Sequence, residues 1–349
     1  MDKHPAHTPA GIIWELTYAC PFRCEHCYSE SGRRPAHKLP RERLLRIADA
    51  ILKLRPLPVI NFAGGEPLLL KEMTEIAERL RAGGAQVKLY TSGWRLRPDI
   101  AQRVADVFTC IGVSMDGPDP QVNDVLRGRE GAFDQAMGAL RLWDQIAGER
   151  ARRGGLRFEL GIECTMMRSN LPHLERFCTE VAPSLPNLSF LMFGVVMPVG
   201  LASRLSFCER ELPTGEQQES MAGLRQRLRD LAPDAVRLNW CGVDNLLQIA
   251  RAEATTTMMT IEPDGAVKAH PLYEGNVGNA LDESLAVLWR RSQEWAEDPF
   301  VVEQLATIHS LADWAAVAHN LDMRFCSAAD RQRLARREPV RLVQLRRQA

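Results

Sequence analysis

The feature that most constrains the fold is a repeated alternation of short β-rich runs and amphipathic helical runs over residues 11–200. Gly83-Gly84 and Gly154-Gly155 stand where two of these helices should end, because left-handed glycine is the usual C-terminal cap. Strands are predicted at Gly11–Thr17, Val59–Phe62, Val87–Tyr90, Cys110–Val113, Leu156–Cys164 and Leu188–Val196, with helices near 41–54, 72–83, 97–106, 131–148 and 171–181. This alternation predicts an α/β fold with a parallel sheet, which right-handed crossovers curl into a partial (β/α)6 barrel.

Polar and glycine-rich residues follow the predicted strands at the point where each strand ends. Three cysteines follow the first strand, Ala63–Pro67 follows the second, Thr91–Gly93 the third and Ser114–Pro118 the fourth. Ligands of parallel α/β sheets bind at the carboxyl ends of the strands. We therefore expect these loops to form one functional rim.

Composition excludes several classes of protein. The 349 residues include 44 basic and 44 acidic side chains, so no global charge predicts nucleic acid or an anionic membrane as a partner. The sequence has no signal-peptide pattern and no apolar run of ~18 residues, the length that would cross a membrane. We expect a cytoplasmic protein, in which the nine cysteines do not form a disulfide framework.

Three of the cysteines crowd into the segment Cys20-Pro-Phe-Arg-Cys24-Glu-His-Cys27, which has the spacing CxxxCxxC. Three thiolates on one short loop can converge on one metal centre, and a cubane of four irons then keeps one iron without a protein ligand. Such an open iron suits a catalytic centre, because an amino acid can chelate it. Two alternatives remain open: a structural zinc with His26 or His37 as fourth ligand, and three unrelated core cysteines. The six other cysteines are core residues by default.

Together with Gly64-Gly65-Glu66-Pro67 after the second strand, this segment resembles the radical S-adenosylmethionine (SAM) superfamily over residues 11–200. The resemblance implies that the three cysteines bind a [4Fe–4S] cluster and that His26 lies near the adenine of SAM. It also implies that the Gly-Gly-Glu-Pro segment orients the methionyl amine. The glycines would let the backbone approach the ligand, and Glu66 would offer an anion to the ammonium.

Ser92, Ser114 and Arg127 match positions that in related enzymes hold the ribose and carboxylate of SAM. Arg127 suits this role because a guanidinium pairs bidentately with a carboxylate. The alternative interpretation is that these are strand-end turn residues and a surface arginine, and Asp116 is likewise a reasonable turn former. The resemblance implies reductive cleavage of SAM to methionine and a 5′-deoxyadenosyl radical, which removes hydrogen from an unactivated carbon in an enclosed site.

The pattern changes beyond residue 205, so we expect a core domain at 1–205 and a smaller α+β domain at 206–349. The segment Ile261–Pro271 and the helix after it resemble the SPASM/Twitch extension of peptide-modifying radical SAM enzymes. In that extension a hairpin cysteine ligates an auxiliary cluster, and here His270 takes its place. We expect either a metal-free lid or substrate platform, or one cluster on Cys241, His270 and Cys326, with or without Cys208.

The candidate catalytic side chains of this second half are Cys208, Cys241 and His270. If the reaction is an epimerisation, a thiol is expected to return hydrogen, and the sequence does not single out one among Cys208, Cys241 and Cys326. His270 is a hydrogen-bonding or catalytic residue, or simply a partly buried histidine. The basic run Arg331–Arg347 is expected to be a solvated helix face, with docking of an acidic reductase or peptide as the alternative.

The resemblance favours a radical SAM enzyme that modifies a ribosomally made peptide or another amino-acid-derived substrate. It implies an electron donor such as flavodoxin or ferredoxin. We expect no built-in leader-recognition domain, so a long peptide substrate would need a separate leader-peptide-binding protein. Haem or tetrapyrrole maturation is the alternative, which Ser114–Gly117, Arg127 and Glu130–Phe133 resemble and the shortage of tail cysteines argues against. An iron–sulfur or zinc scaffold or sensor is the non-enzymatic alternative, and the intact Gly-Gly-Glu-Pro argues against it.

Overall fold

A computed structural model of the protein describes residues 8–251 and 257–337. The strands in these residues are β1 (Gly11–Glu15), β2 (Val59–Ala63), β3 (Val87–Thr91), β4 (Cys110–Ser114), β5 (Glu159–Met166), β6 (Phe190–Val195), β7 (Arg237–Cys241), β8 (Met258–Ile261), β9 (Ala266–Lys268) and β10 (Asn276–Asn279). The helices are α1 (Arg41–Ile51), α2 (Met73–Ala82), α3 (Pro98–Val107), α4 (Pro120–Arg127), α5 (Ala132–Arg153), α6 (Leu205–Glu211), α7 (Gly215–Leu231), α8 (Val243–Ala250), α9 (Leu285–Ala296), α10 (Pro299–Ala306), α11 (Leu311–Phe325) and α12 (Ala328–Leu334).

All ten strands belong to one sheet, in the order β10-β9-β8-β1-β2-β3-β4-β5-β6-β7. Strands β1 to β7 pair in parallel with their neighbours in chain order. Strand β8 adds in parallel on the other side of β1, and β9 and β10 continue antiparallel. The sheet ends at β7 and β10, which confirms the predicted partial barrel of parallel strands with helices between them.

Side chains alternate between the two faces of each strand, as the twofold period of a strand requires. One face is buried against the helices, and there Trp14 and Phe62 pack edge to face with ring centroids 5.7 Å apart. The inner face carries more polar side chains. In one row across it, Glu163 of β5 stands between Ser114 of β4 and Met192 of β6.

The structure differs from the sequence predictions in several segments, including helices α6 and α8, which were not predicted. The predicted helix at 171–181 is a 3₁₀ turn at Leu171–His173 followed by a π-helical turn at Phe177–Val181. Helix α4 was not predicted, because Gly117-Pro118 and Pro120 suggested a turn. In the structure Pro120 is the first residue of that helix, a position where proline is tolerated. Strand β10 was also missed, since its Val-Gly-Asn run is too short to show a period.

The region beyond residue 205 joins the same sheet as the barrel. Strand β7 extends it beside β6, and β8 pairs with β1 directly below the cysteine loop. The expected division at residue 205 stays a prediction. None of the helices in the described residues has the length and apolar character needed to cross a bilayer.

Two arginines near the end of the described chain form a buried network that we call the C-terminal brace. Its members are Glu30 from the cysteine loop, Glu274, Asp322, Arg333 and Arg337. Arg337 donates to Glu30 over 2.7 Å (Nε–Oε1) and to Asp322 over 2.9 Å (Nη1–Oδ2). Arg333 lies 3.0 Å from Glu274 (Nη2–Oε1) and also pairs with Glu30.

The brace corrects the prediction of a solvated basic tail. Only 4% of the Arg337 side chain and 17% of the Arg333 side chain are exposed. Both guanidiniums are held by carboxylates, one of which belongs to the cysteine loop. Residues 338–347 of the predicted tail lie outside the described residues.

Candidate active site

One cavity at the carboxyl ends of the strands collects most of the predicted functional residues. Of the ten functional residues predicted in the barrel, nine line this cavity of about 200 Å³, which we call the rim cavity: Cys20, Cys24, His26, Cys27, Gly64, Gly65, Ser92, Ser114 and Arg127. They come from the loops after β1, β2 and β3, the end of β4, and helix α4. Topology therefore brings together residues that are up to 107 positions apart, from Cys20 to Arg127.

The cysteine loop is anchored by its own apolar residue. Phe22 is buried and packs edge to face on Trp94 with centroids 5.6 Å apart. The Sγ of Cys24 lies 3.6 Å from the carbonyl oxygen of Arg127. Burial raises the pKa of the Cys20 thiol to about 12 and that of Cys24 to about 11. Metal ligation by these thiols must therefore release protons.

The two glycines after β2 are required by close backbone packing. A Cβ at Gly64 would lie 2.7 Å from the carbonyl oxygen of Thr17, and a Cβ at Gly65 would lie 2.2 Å from that of Ala19. The amide of Gly65 donates to Thr17 over 2.6 Å (N–O). The glycines thus hold the start of the cysteine loop against the end of β2, in addition to lining the cavity.

Glu66 is the one predicted barrel residue that lies outside the rim cavity. Its side chain is fully buried and does not line the rim cavity. Its Oε1 accepts hydrogen bonds from the Thr91 hydroxyl (2.6 Å) and the Leu68 amide (3.0 Å), and its Oε2 accepts from the amide (2.8 Å) and hydroxyl of Ser92. This carboxylate accepts from protein donors and ties the loop after β2 to the loop after β3, and its contact with the ammonium of SAM stays a prediction.

Asp116 organises two of the predicted ligand-binding side chains. Its Oδ2 lies 3.1 Å from Nη1 of Arg127 and 3.3 Å from Nε2 of His26, and its Oδ1 accepts from the Thr165 amide over 2.9 Å. Burial alone raises the pKa of Asp116, but His26 and Arg127 outweigh that effect and hold the pKa below its usual value. Sequence reasoning took Asp116 for a turn former, although its place directly after β4 was the available signal.

Helix α4 determines where Arg127 stands. The side chain of Asp119 caps its first turn by accepting from the Val122 amide over 2.9 Å. Gly128 ends it in the left-handed conformation, with φ of 62°. Arg127 is the last helical residue, and its Nε is buried without a partner in the described part of the chain. The Nδ1 of His26 is unpaired in the same way. Both atoms belong to side chains that line the rim cavity.

A second cavity of about 290 Å³ adjoins the first, and we call it the inner cavity. The two share His26, Tyr28 and Thr165 in their walls. The inner cavity is otherwise lined by Glu163, Cys164, Met192, Gly194, Val195, Val196, Met197, Cys241, Leu246 and Ile249. Tyr28, Thr165 and Glu163 were not predicted, although the rule of examining what lies at each strand end would have reached Thr165 on β5.

Of the three candidate catalytic residues in the second half, only Cys241 lines this pair of cavities. The thiol of Cys208 donates to the Ala202 carbonyl over 3.3 Å (Sγ–O). His270 is buried between aromatic rings, with centroids 4.9 Å from Tyr273 and 5.6 Å from Trp295. Its Nδ1 accepts from the Leu272 amide, and burial lowers its pKa to about 4. His270 and Cys208 therefore lie outside both cavities, and their catalytic roles stay predictions.

The positions of the His, Cys, Asp and Glu side chains show where the described residues could bind a metal. Within residues 8–251 and 257–337, no three His, Cys, Asp or Glu side chains already stand as a metal-binding group. Cys20, Cys24 and Cys27 nevertheless line a single cavity together with Arg127, whose Nε–H is an unpaired donor, so the rim cavity fits a cluster and an anionic ligand. The four alternative ligands of the second half do not meet in the described residues.

Comparison with known proteins agrees with this geometry. Residues 14–148 match the radical SAM superfamily. The mycofactocin maturase MftC of Mycolicibacterium smegmatis is 31% identical over 175 residues, which is 50% of this chain and 42% of that protein. An AdoMet-dependent heme synthase of Oleidesulfovibrio alaskensis is 24% identical over 313 residues, covering 81% of this chain and 74% of that protein.

The fold has solved counterparts as well. The crystal structure of Streptococcus suis SuiB bound to S-adenosylmethionine superposes with a TM-score of 0.64 at 12% identity, covering 92% of this chain and 77% of that chain. The chain spans less than half the length of the MftC relative. Residues 14–148 form a radical SAM domain, the domain of enzymes that use a [4Fe–4S] cluster and SAM.

Proposed function

We propose that this protein is a radical SAM enzyme that cleaves SAM reductively and abstracts hydrogen from an amino acid residue of a peptide or a related substrate. The observation that carries the proposal is the rim cavity, where three cysteines and the predicted SAM-binding side chains share one wall. When bound, the cluster and SAM supply a 5′-deoxyadenosyl radical. The inner cavity adjoins this site, so a substrate held there is within reach of that radical and away from bulk water.

Different residues of the chain would bind the cluster and the two ends of SAM. Cys20, Cys24 and Cys27 would hold the cluster as thiolates. Arg127, whose Nε is unpaired, would bind the carboxylate of SAM. His26 and Ser114 line the same cavity and would contact the nucleoside part.

Asp116 would act as a positioning residue for this set. It holds Nη1 of Arg127 and Nε2 of His26, which leaves the Nε of Arg127 and the Nδ1 of His26 for ligands. A carboxylate that carries a lowered pKa stays ionised at neutral pH, so both contacts persist there.

Cys241 is the thiol suited to returning hydrogen to a substrate radical in a redox-neutral reaction. Its S–H bond would break homolytically, the hydrogen atom would pass to the substrate carbon, and a thiyl radical would remain on Cys241. An electron and a proton from a reducing partner of the flavodoxin or ferredoxin class would restore the thiol. The position of Cys241 in the wall of the inner cavity supports this role over Cys208 and Cys326.

A peptide substrate is supported by the relatives. One is a mycofactocin maturase, and SuiB has been crystallised with its precursor peptide SuiA. A long peptide would need a leader-binding region, which a separate protein could supply. A second candidate, tetrapyrrole maturation, is favoured by the heme synthase that aligns with 81% of this chain. Titration with an iron porphyrin, followed by its Soret band, separates the two: saturable binding near one equivalent supports the second candidate.

The test of the proposed function is SAM cleavage by the anaerobically reconstituted protein. Dithionite reduction in the presence of SAM should yield 5′-deoxyadenosine and methionine in equal amounts. A Cys24→Ala variant should yield neither. The control is Cys178→Ala, which removes a buried thiol that lines none of the cavities above. Absence of 5′-deoxyadenosine from a wild-type protein that carries its cluster would contradict the proposal.

A further inference from the structure

The inner cavity contains one carboxyl group whose surroundings are unusual for a barrel wall. Glu163 lies on β5, in the row below Thr165, and its side chain folds over the neighbouring strand. A Cβ at Gly112 would lie 2.9 Å from Cγ of Glu163 and 3.2 Å from its Oε1. The same Cβ would lie 3.0 Å from Cδ1 of Tyr90. The glycine on β4 therefore leaves the space that this carboxyl occupies.

The carboxyl of Glu163 accepts no hydrogen bond from the described part of the chain, although the side chain is half-buried in the wall of the inner cavity. Burial raises its pKa to about 7, and the charge of Lys88 only partly opposes this. A buried carboxylate is costly without a partner. By contrast, Glu159 on the same strand is paired with Arg237 over 3.0 Å (Oε1–Nη2) at the exposed end of the barrel. Glu163 is thus the carboxyl of the inner cavity that is left for a ligand.

The rest of the wall of the inner cavity is apolar, and the cavity itself is open along its length. Met192, Met197, Leu246 and Ile249 supply most of it. Gly194 keeps the middle open, because a Cβ there would approach no heavy atom closer than 3.9 Å. Such a cavity suits a methylene stem that ends in a hydrogen-bond donor.

We propose that the inner cavity binds a basic side chain of the substrate, an ammonium or guanidinium on an aliphatic stem, with Glu163 as its acceptor. The stem would pass between Cys241 and Met192, which stand on neighbouring strands of the wall. The charged end would meet the carboxyl on the floor, and the carbons nearer the peptide backbone would lie toward His26 and the rim cavity. This inference rests on the proposed function and specifies its substrate class.

Protection of Cys241 from alkylation tests the proposal in the reconstituted protein with SAM bound. The probes are N-acetyl-lysine methylamide and its norleucine counterpart, which has the same stem without the amine. Iodoacetamide labelling of Cys241 is followed by mass spectrometry of its peptide at pH 8, where Glu163 and the ammonium are both charged. We expect the lysine probe to protect Cys241 at about tenfold lower concentration than the norleucine probe, the effect of one charge-assisted hydrogen bond.

Three variants make the test specific. Glu163→Gln should abolish the difference between the two probes, whereas Glu159→Gln should retain it. Gly194→Ala, which narrows the cavity without changing charge, should weaken protection by both probes equally. Equal protection by the two probes in the wild type, or an unchanged preference in Glu163→Gln, would overturn the proposal.

An assay of 5′-deoxyadenosine in the same wild-type preparation separates failure of the basic-substrate inference from failure of the proposed function. SAM cleavage without a preference for the lysine probe rejects the basic-substrate inference alone. A cluster-loaded protein that does not cleave SAM rejects the proposed function instead.

Discussion

The rim cavity and the C-terminal brace both bury charged side chains, but they differ in how far those charges satisfy one another. In the brace, Glu30 and Asp322 are each held by Arg337. At the rim, Nε of Arg127 and Nδ1 of His26 are buried without partners in the described part of the chain. Native proteins pair nearly all buried polar groups, so unpaired ones need an explanation. The Nε of Arg333 in the brace is also unpaired, but Arg333 lines neither the rim cavity nor the inner cavity. The difference teaches that unpaired polar atoms on a cavity wall indicate a ligand site, whereas carboxylates held by arginines away from these cavities indicate a structural contact.

The largest expected effect comes from breaking the brace. Arg337→Ala leaves carboxylates of Glu30 and Asp322 buried without their shared cation, and we expect a loss of about 3–5 kcal/mol in the free energy of unfolding. Anaerobic urea unfolding measures it. The control Arg336→Ala removes an exposed neighbour and should change stability by less than about 0.5 kcal/mol. Equal effects of the two variants would mean that the brace is not a stabilising network.

Glu66 sharpens the comparison, because its carboxylate at the rim is held by protein donors, as those of Glu30 and Asp322 are in the brace. Glu66→Gln would turn an amide N–H₂ toward the donors of Thr91 and Ser92, which all need an acceptor. We expect a loss of about 1–3 kcal/mol in unfolding free energy. If Glu66 instead bound the SAM ammonium, the variant would keep its stability and lose SAM affinity, and equilibrium dialysis with SAM would detect that result.

His270 provides a pH-dependent test of the C-terminal region. Its folded pKa of about 4 lies below the ordinary value of 6.5, so the unfolded chain binds a proton more readily between these values. The contribution of neutral, buried His270 is therefore present above pH 6.5 and is lost as the pH falls toward 4. We expect the difference in stability between wild type and His270→Phe to change by about 2 kcal/mol between pH 7 and pH 5.

The measurement is urea unfolding of both proteins at the two pH values, with SAM cleavage assayed in parallel. His270→Phe should still cleave SAM, since the ring it replaces lies among Tyr273 and Trp295 and lines neither cavity. A variant that keeps its stability at pH 7 and loses SAM cleavage would show that His270 is catalytic.

The smallest expected effect comes from replacing Arg127, whose Nε–H is the unpaired donor at the rim. Arg127→Lys keeps a positive charge but removes the Nε–H and the planar fork, so we expect SAM to bind about tenfold more weakly. Arg141→Lys, at an exposed position on α5, is the matched control. Unchanged affinity in Arg127→Lys would mean that the Nε–H does not contact SAM and that Arg127 serves mainly as the partner of Asp116.

The rim could be predicted because its determinants are local. Hydrophobic periodicity located the strands, and parallel strands bring their carboxyl ends to one edge. Cys20 and Gly65 were therefore expected at one site before their contacts were known, whereas Arg127 was expected there from the family resemblance alone. Helix α4 was missed because its start, Asp119-Pro120, resembles a turn signal as closely as a helix cap.

The brace and the inner cavity could not be predicted, since they depend on pairings between distant residues. Arg337 meets Glu30 across 307 positions, and a basic run alone is typical of a solvated helix. Glu163 on β5 gains its role from the absence of a side chain at Gly112 on β4. The donors to Glu66 could not be predicted for the same reason, because they lie at the end of another strand and in the loop after it.

The central claim, one cluster held by the cysteine loop, is tested most directly by iron and sulfide analysis of the anaerobically reconstituted protein. The wild type and a Cys208→Ala/Cys241→Ala/Cys326→Ala variant should both contain about four irons and four sulfides per chain. A Cys20→Ala/Cys24→Ala/Cys27→Ala variant should contain none. Iron retained in that loop variant, or absent from the wild type, would contradict the account.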